Sequence, residues 1–263
     1  MRFKRPSIPY IAWMVVFTLV PIVLILFYAF TDRSGSLSLE PMTKAFGYSD
    51  IFMRSLWIAF VSTVICLVLA YPIAYIISRQ KRSTQNLLTM LIMIPMWMNF
   101  ILRIYAWVTL LSDGGPIDTA LSTFGIHLTL NNNRGAVILG MVYEYLPFMV
   151  LPLYTVMSKI DYRLIEAAED LGANKVNVLR KVVLPLSVPG IISGVTMVFV
   201  PAASTFLVST YLGGIDDTMI GDVIEQIFQG DRNTGSALAL ILMVAILIFL
   251  VILNLFGDEE AIS

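Results

Sequence analysis

Arg103 and Glu144 each stand inside a long apolar run, and of all the ionisable residues they most need a chemical explanation. An ionised side chain in hydrocarbon is costly unless it meets a counter-charge, a polar cavity or a passing solute. Their opposite charges fit two roles: a buried ion pair that fixes helix packing, or part of a path for a charged solute. Their run positions place both toward one end of their spans. Nearby are further groups able to hold a solute: Asn99, whose amide needs a partner in lipid, and the rings of Trp97, Tyr105, Trp107, Tyr143, Tyr145, Tyr154 and Phe206. A ring face attracts an ammonium group by about 0.5–2 kcal/mol. Each ring alone also fits an interface belt or a packing role.

Catalysis has little to work with. His127 is the single histidine and has no second histidine or cysteine near it, so a metal centre is not expected. Cys66, the single cysteine, lies among Leu, Val and Ile and reads as a small hydrophobe. There is no Gly-rich phosphate loop, zinc motif or nucleophile elbow. The expectation is no catalytic residue, no metal and no cofactor in this chain, and no nucleic-acid partner.

The elements that must position these residues are set by lipid. Hydrophobic residues make up 58% of the 263 and charged residues 13%, with a mean hydropathy of +0.83, which excludes an ordinary soluble domain. A bilayer core about 30 Å thick needs roughly 20 apolar residues per helix. Six runs qualify, near residues 8–30, 55–77, 87–111, 135–157, 190–212 and 237–256. The fold class is therefore all-α, a polytopic membrane protein with six transmembrane helices in one domain over residues 1–263. Basic residues are retained on the cytoplasmic side. Eleven of them (Arg2, Lys4, Arg5, Arg79, Lys81, Arg82, Lys159, Arg163, Lys175, Arg180, Lys181) fall on one side against Arg33, Lys44, Arg54, Arg134 and Arg232 on the other. Both termini are then expected in the cytoplasm. The first run exceeds a signal sequence in length and no small-residue cleavage site follows it, so it reads as a retained anchor. Pro95, Pro147, Pro152 and Pro201 fall within spans and are expected to kink helices or free carbonyls.

The fourth connection, about residues 158–185, carries its own pattern. Asp161 is a candidate N-cap, Leu164, Ala167, Ala168 and Leu171 share one helical face, and Gly172 suits a helix end that needs positive φ. Asn174 can cap a second helix, after which Pro185 and Pro189 re-aim the chain into the membrane. Acidic Glu166, Glu169 and Asp170 disfavour simple docking on anionic headgroups and favour docking onto protein. The fifth connection is acidic as well (Asp216, Asp217, Asp222, Glu225, Asp231). It reads as a cation-attracting or protein-docking outer surface, or as a solvated loop, with a Val223, Ile224, Ile227, Phe228 stripe marking a short helix that lies on the outer surface or re-enters.

Glu166-Ala167-Ala168, Gly172, Val182 and Leu184-Pro185 together resemble the coupling loop of ATP-binding-cassette (ABC) importer permeases of type I, and the six spans follow the same plan. Tyr71-Pro72-Ile73-Ala74-Tyr75, the 94–105 segment and the 146–154 segment resemble more narrowly the permeases of spermidine/putrescine importers. The resemblance implies a multi-pass protein of a bacterial cell membrane that translocates polyamines. It implies as partners a second, homologous permease chain, a cytoplasmic ATPase dimer that binds ATP and Mg, and an extracytoplasmic polyamine-binding protein. Leu164, Glu166, Ala167, Ala168, Leu171 and Gly172 would couple to the ATPase, and Trp97, Asn99, Arg103, Tyr105, Tyr143, Glu144, Tyr154 and Phe206 are the pathway candidates. Alternatives are a related importer for sulfate, molybdate or iron, or an ion-coupled secondary transporter.

Overall fold

Every backbone amide in hydrocarbon needs a partner within the protein, so a spanning chain must be helical or a closed barrel. In the computed structural model, which describes residues 8–125 and 129–260, the elements are helices. The basic residues Arg2, Lys4 and Arg5 and the lone His127 lie outside the described residues. In chain order the helices are α1 (Pro9–Ala29), α2 (Glu40–Phe46), α3 (Ser49–Ser78), α4 (Arg82–Met93), α5 (Phe100–Leu111) and α6 (Pro116–Thr123). They continue as α7 (Arg134–Met157), α8 (Tyr162–Asp170), α9 (Lys175–Ser204), α10 (Leu207–Leu212), α11 (Ile220–Gly230) and α12 (Arg232–Glu260).

Helices α1, α3, α7, α9 and α12 are each long and apolar enough to cross a bilayer. The expected third span is broken: Arg82–Trp97 and Phe100–Thr123 qualify only as a pair, bent by 89°. Two extended residues make the corner, Met98 (ψ 151°) and Asn99 (ψ 131°), after a 3₁₀ turn over Ile94–Trp97 that carries Pro95. The expected fifth span is corrected at both ends. It begins at Lys175, without the re-aiming at Pro185 and Pro189, and it stops at Ser204, leaving α10 as a separate short helix.

Helix α9 passes Pro185 by a local change of ladder. A proline lacks the N–H that would bond four residues back, and its ring crowds that carbonyl. Here a π turn over Leu179–Val183 directly precedes it, with the Leu184 N–H donating to the carbonyl of Leu179. The same device precedes Pro21 in α1, as a π turn over Val15–Leu19.

The core is a trio of α3, α7 and α9, filled by Ile58, Cys66 and Ala70, by Met141, Met149 and Leu153, and by Val198 and Phe199. Close approach of α7 and α9 rests on Gly190 and Gly194, one turn apart. A Cβ on Gly194 would stand 2.6 Å from Met149 Sδ, and one on Gly190 3.1 Å from Val156 Cβ. Small residues in this pattern let apolar helices gain packing that lipid does not offer. A second cluster joins the end of α1, α2, α11 and the first turns of α12 through Ala29, Ala45, Ile220 and Leu238.

The end of α9 is held from two sides. Tyr145 Oη donates to the Pro201 carbonyl (3.5 Å), and Gly221 lies against the carbonyls of Ser204 and Thr205, where a Cβ would stand 2.4 Å from the latter oxygen. Gly221→Ala should therefore destabilise the protein by about 1–3 kcal/mol, since backbone must shift. Gly230→Ala, with open space around it, should be neutral. Heat-induced exposure of the buried Cys66 thiol to a maleimide measures both, and equal melting of the two variants would contradict the packing described.

Candidate functional site

The corner in the third span places Arg103. The side chain of Asn99 accepts from the N–H groups of Ile101 (2.9 Å) and Leu102 (3.4 Å), so it satisfies the first amides of α5 where no water is at hand. In this conformation its oxygen is thus partnered by the helix start. One turn later Arg103 points into the bundle and meets Glu144, near the middle of α7, with Nη2 to Oε2 at 2.7 Å. The two side chains are 8% and 3% exposed. The contact is one of charge more than of aligned hydrogen bonds. Neither Glu144 oxygen nor Arg103 Nε has a well-directed partner among the described residues. Of the two sequence readings, this conformation realises the ion pair.

Some of the pathway candidates on α5 and α7 pack in aromatic pairs and others do not. Tyr105 packs on Tyr211 of α10 with centroids 5.0 Å apart, and Trp107 meets Tyr143 edge-on at 5.3 Å. Trp97 is 76% exposed, and Asn99 and Phe206 are also open to the outside of the chain. Tyr154 stands apart: its hydroxyl donates to Gln85 Oε1 (3.1 Å), and Gln85 Nε2 in turn donates to the carbonyls of Ser78 (3.0 Å) and Gln80 (2.9 Å). It fastens α7 to the α3–α4 connection. Tyr211 and Gln85 were not singled out from the sequence. Each is one polar residue at the edge of an apolar run, and only its distant partner gives it a role.

The acidic fifth connection is largely consumed internally, which corrects its reading as a cation-attracting surface. Asp217 accepts from Arg134 Nε at 2.7 Å. Asp222 accepts from Ser209 Oγ (2.6 Å), the Met219 N–H (2.8 Å) and the Thr210 hydroxyl. Asp231 accepts from Thr234 Oγ1 (2.9 Å) at the start of α12. Burial pushes the Asp231 carboxyl up, but the Thr234 hydroxyl and amide and the charges of Arg33 and Lys44 outweigh it and hold it below its ordinary value. Asp216 and Glu225 remain exposed. The expected stripe on α11 packs inward through Val223 and leaves Phe228 open.

The 158–185 connection forms as its residues dictate. Asp161 Oδ1 accepts from the Arg163 N–H (3.0 Å), Gly172 takes φ +84°, and Asn174 Oδ1 accepts from the Asn177 N–H (2.8 Å). The face shared by Leu164, Ala167 and Leu171 stays open, as a docking face requires. Ile165 is the buried residue, packed with Val178 and Val183 and flanked by Tyr75, Ile160 and Ala168. Leu164, Glu166, Ala167 and Leu171 point away, Leu171 being 89% exposed. The corner is thus anchored on one side and offers two bare leucines beside a glycine on the other.

Comparison with known proteins fits this geometry. The profile of the family described as binding-protein-dependent transport system inner membrane component matches residues 67–258. The spermidine/putrescine transport system permease protein PotB of Haemophilus influenzae is 38% identical, covering 94% of this chain and 92% of that protein. PotB of Escherichia coli is 35% identical over 85% of each. Among solved structures, a bacterial ABC transporter involved in import of the acidic polysaccharide alginate matches with a TM-score of 0.76, over 95% of this chain and 93% of that one. At 18% identity that likeness concerns the fold.

A packing role for the central pair predicts that Arg103→Leu, which strands a buried carboxylate, costs about 3–5 kcal/mol. The double variant Arg103→Leu with Glu144→Leu should regain most of that loss. Thermal melts of the three proteins check it: a double variant no more stable than Arg103→Leu would exclude the pair as a packing element.

Proposed function

The chain belongs to the binding-protein-dependent transport system inner membrane component family, and from that premise we propose how it works as the permease subunit of an ATP-driven polyamine importer. It is a multi-pass inner-membrane protein. In the proposal both termini and the 158–185 corner face the cytoplasm, where a separate ATPase dimer holds ATP and Mg and hydrolyses the nucleotide. A second permease chain completes the pathway, and an extracytoplasmic binding protein delivers spermidine or putrescine.

The observation that carries this working is the corner itself. Leu164, Leu171 and Gly172 are exposed while Ile165 locks the same helix to α9 and to Tyr75 of α3. A partner gripping the exposed side would move α8 and the inner end of α9 together as one lever. Because α9 packs along α7 and α3, the displacement reaches the core trio rather than dissipating in a loop. The permease pair is then the bistable element and ATP binding its bias.

A polyamine crossing this chain meets ring faces at Tyr105 and Tyr143 and a carboxylate at Glu144. In the conformation described, Arg103 holds that carboxylate. An ammonium group can take the place of Arg103 only when α5 and α7 shift relative to one another, which ties access to the state of the lever. The ill-directed hydrogen bonding of the pair lowers the cost of such an exchange.

Uptake of labelled spermidine, putrescine and sulfate in cells lacking only this gene tests the proposal. The wild-type gene should restore polyamine uptake and leave sulfate unchanged. Leu171→Asp and Gly172→Glu, at normal membrane abundance, should each leave less than about a tenth of it, as expected when roughly 1–3 kcal/mol of coupling is lost. Polyamine uptake that never depended on the gene would overturn the substrate, and normal uptake by both variants would overturn the lever.

A further inference from the structure

We propose that the cleft between α3 and the α8–α9 corner binds a membrane phospholipid with an anionic headgroup. The proposal rests on the cytoplasmic placement of that corner given above. The cleft encloses about 910 Å³ and has two chemically distinct ends. Leu67, Val68, Pro72 and Ile76 of α3 and Ile191 of α9 form an apolar wall. Arg79, at the C-terminal cap of α3, and Lys175, at the start of α9, stand at the other end beside Tyr75 and Glu169.

Arg79 is the residue that asks for a ligand. Its Nε and Nη2 atoms are shielded from solvent and have no hydrogen-bond partner among the described residues. Its Cζ lies 5.3 Å from the centroid of the Tyr75 ring, which lines the same cleft. Glu169 shares the cleft without a hydrogen bond to Arg79, and its carboxylate offsets one of the two basic charges of Arg79 and Lys175, so this end of the cleft stays net positive where the open face of α8 is net acidic. Shielded donors left without an acceptor are costly, and a guanidinium turned outward into the cleft would bring both to two oxygens of one phosphate group.

The neighbourhood then decides the kind of phosphate. Val68 is 65% and Ile76 57% exposed on the single chain, so the wall offers acyl chains a continuous track into the bilayer. A soluble anion would leave that wall uncovered. A polyamine is disfavoured by Arg79 and Lys175 together. The cap of a span is also the depth at which headgroup phosphates lie, and basic pockets between helices on the cytoplasmic side suit anionic lipids. A lipid seated here would touch both α3 and the first turn of α9, and so would bear on the lever.

Native mass spectrometry of the purified importer complex in detergent, with added phosphatidylglycerol or phosphatidylcholine of matched chains, provides the test. Wild type should retain phosphatidylglycerol about fivefold or more over phosphatidylcholine, the scale of one basic group near a headgroup. Arg79→Gln should remove that preference, and Lys81→Gln, an exposed neighbour, should keep it. Val68→Trp, which fills the apolar end and spares the guanidinium, should lower retention as well, so the idea does not hang on the folding of one variant. Excess glycerol phosphate should not displace the lipid. The proposal falls if wild type shows no headgroup preference, if Arg79→Gln and Val68→Trp both retain it, or if glycerol phosphate competes. It also falls if only the isolated chain binds the lipid, because a partner subunit then fills the cleft. Lipid retention is read without transport, so a failed uptake assay leaves this result standing on its own.

Discussion

A backbone amide in hydrocarbon has no water to turn to, and this chain is organised around the few places where it leaves the α-helical ladder. At Met98–Asn99 the ladder stops, and the Asn99 side chain takes over two amides of the next helix. At Thr205 it stops again, with Tyr145 on one freed carbonyl and Gly221 pressed against its neighbours. Ahead of Pro21 and Pro185 it widens to a π turn. At the two breaks a side chain, Asn99 or Tyr145, takes up freed backbone groups, whereas the π turns are closed by backbone hydrogen bonds alone. The aromatic cluster around Tyr105 and Tyr211 exists because both broken spans turn their second segments, α5 and α10, toward each other.

The Arg103–Glu144 pair follows from the first of these corners. Without the 89° bend, α5 could not aim Arg103 at the middle of α7. Two charges placed so deep are weak evidence of stability, because their desolvation offsets most of their attraction. Their value lies in discrimination: an arrangement of α5 and α7 that separates them is unfavourable unless another cation arrives. A short contact with poorly directed hydrogen bonds suits that role better than a fully satisfied bidentate pair, which would lock one arrangement.

Much of this was legible in the sequence where the causes are local. Asp161, Gly172 and Asn174 act over two or three residues, and each sits where capping and positive-φ rules put it. Spans two, four and six follow from apolar run length alone. What escaped reading has distant causes. The break at residues 98–99 lies inside an unbroken apolar run, so hydropathy passes over it. The continuity of the helix capped by Asn174 with the fifth span was hidden because prolines at 185 and 189 signal a turn, and a π turn absorbs the first of them. The acidic fifth connection looked like an open surface, since Arg134, Ser209 and Thr210, which occupy its carboxylates, are remote or apolar-flanked in sequence.

The open face of α8 follows from a division between its two apolar edges. Helical periodicity groups Leu164, Ala167, Ala168 and Leu171 as an apolar face, and such a face is ordinarily buried. The body of this chain instead takes Ile165, the single large side chain one position round, and needs no more because Val178 and Val183 complete that small cluster. The leucines are thereby left over. A helix that buries its minor apolar edge and exposes its major one is poorly accounted for by its own fold, and in a chain with little water-facing surface the exposed edge costs solubility without return. That cost is accountable if the edge is covered by another protein for most of the chain's life. The argument then runs from packing to partnership: the corner is built to be held from outside, and its rigid inner anchor is what makes being held consequential for the spans behind it.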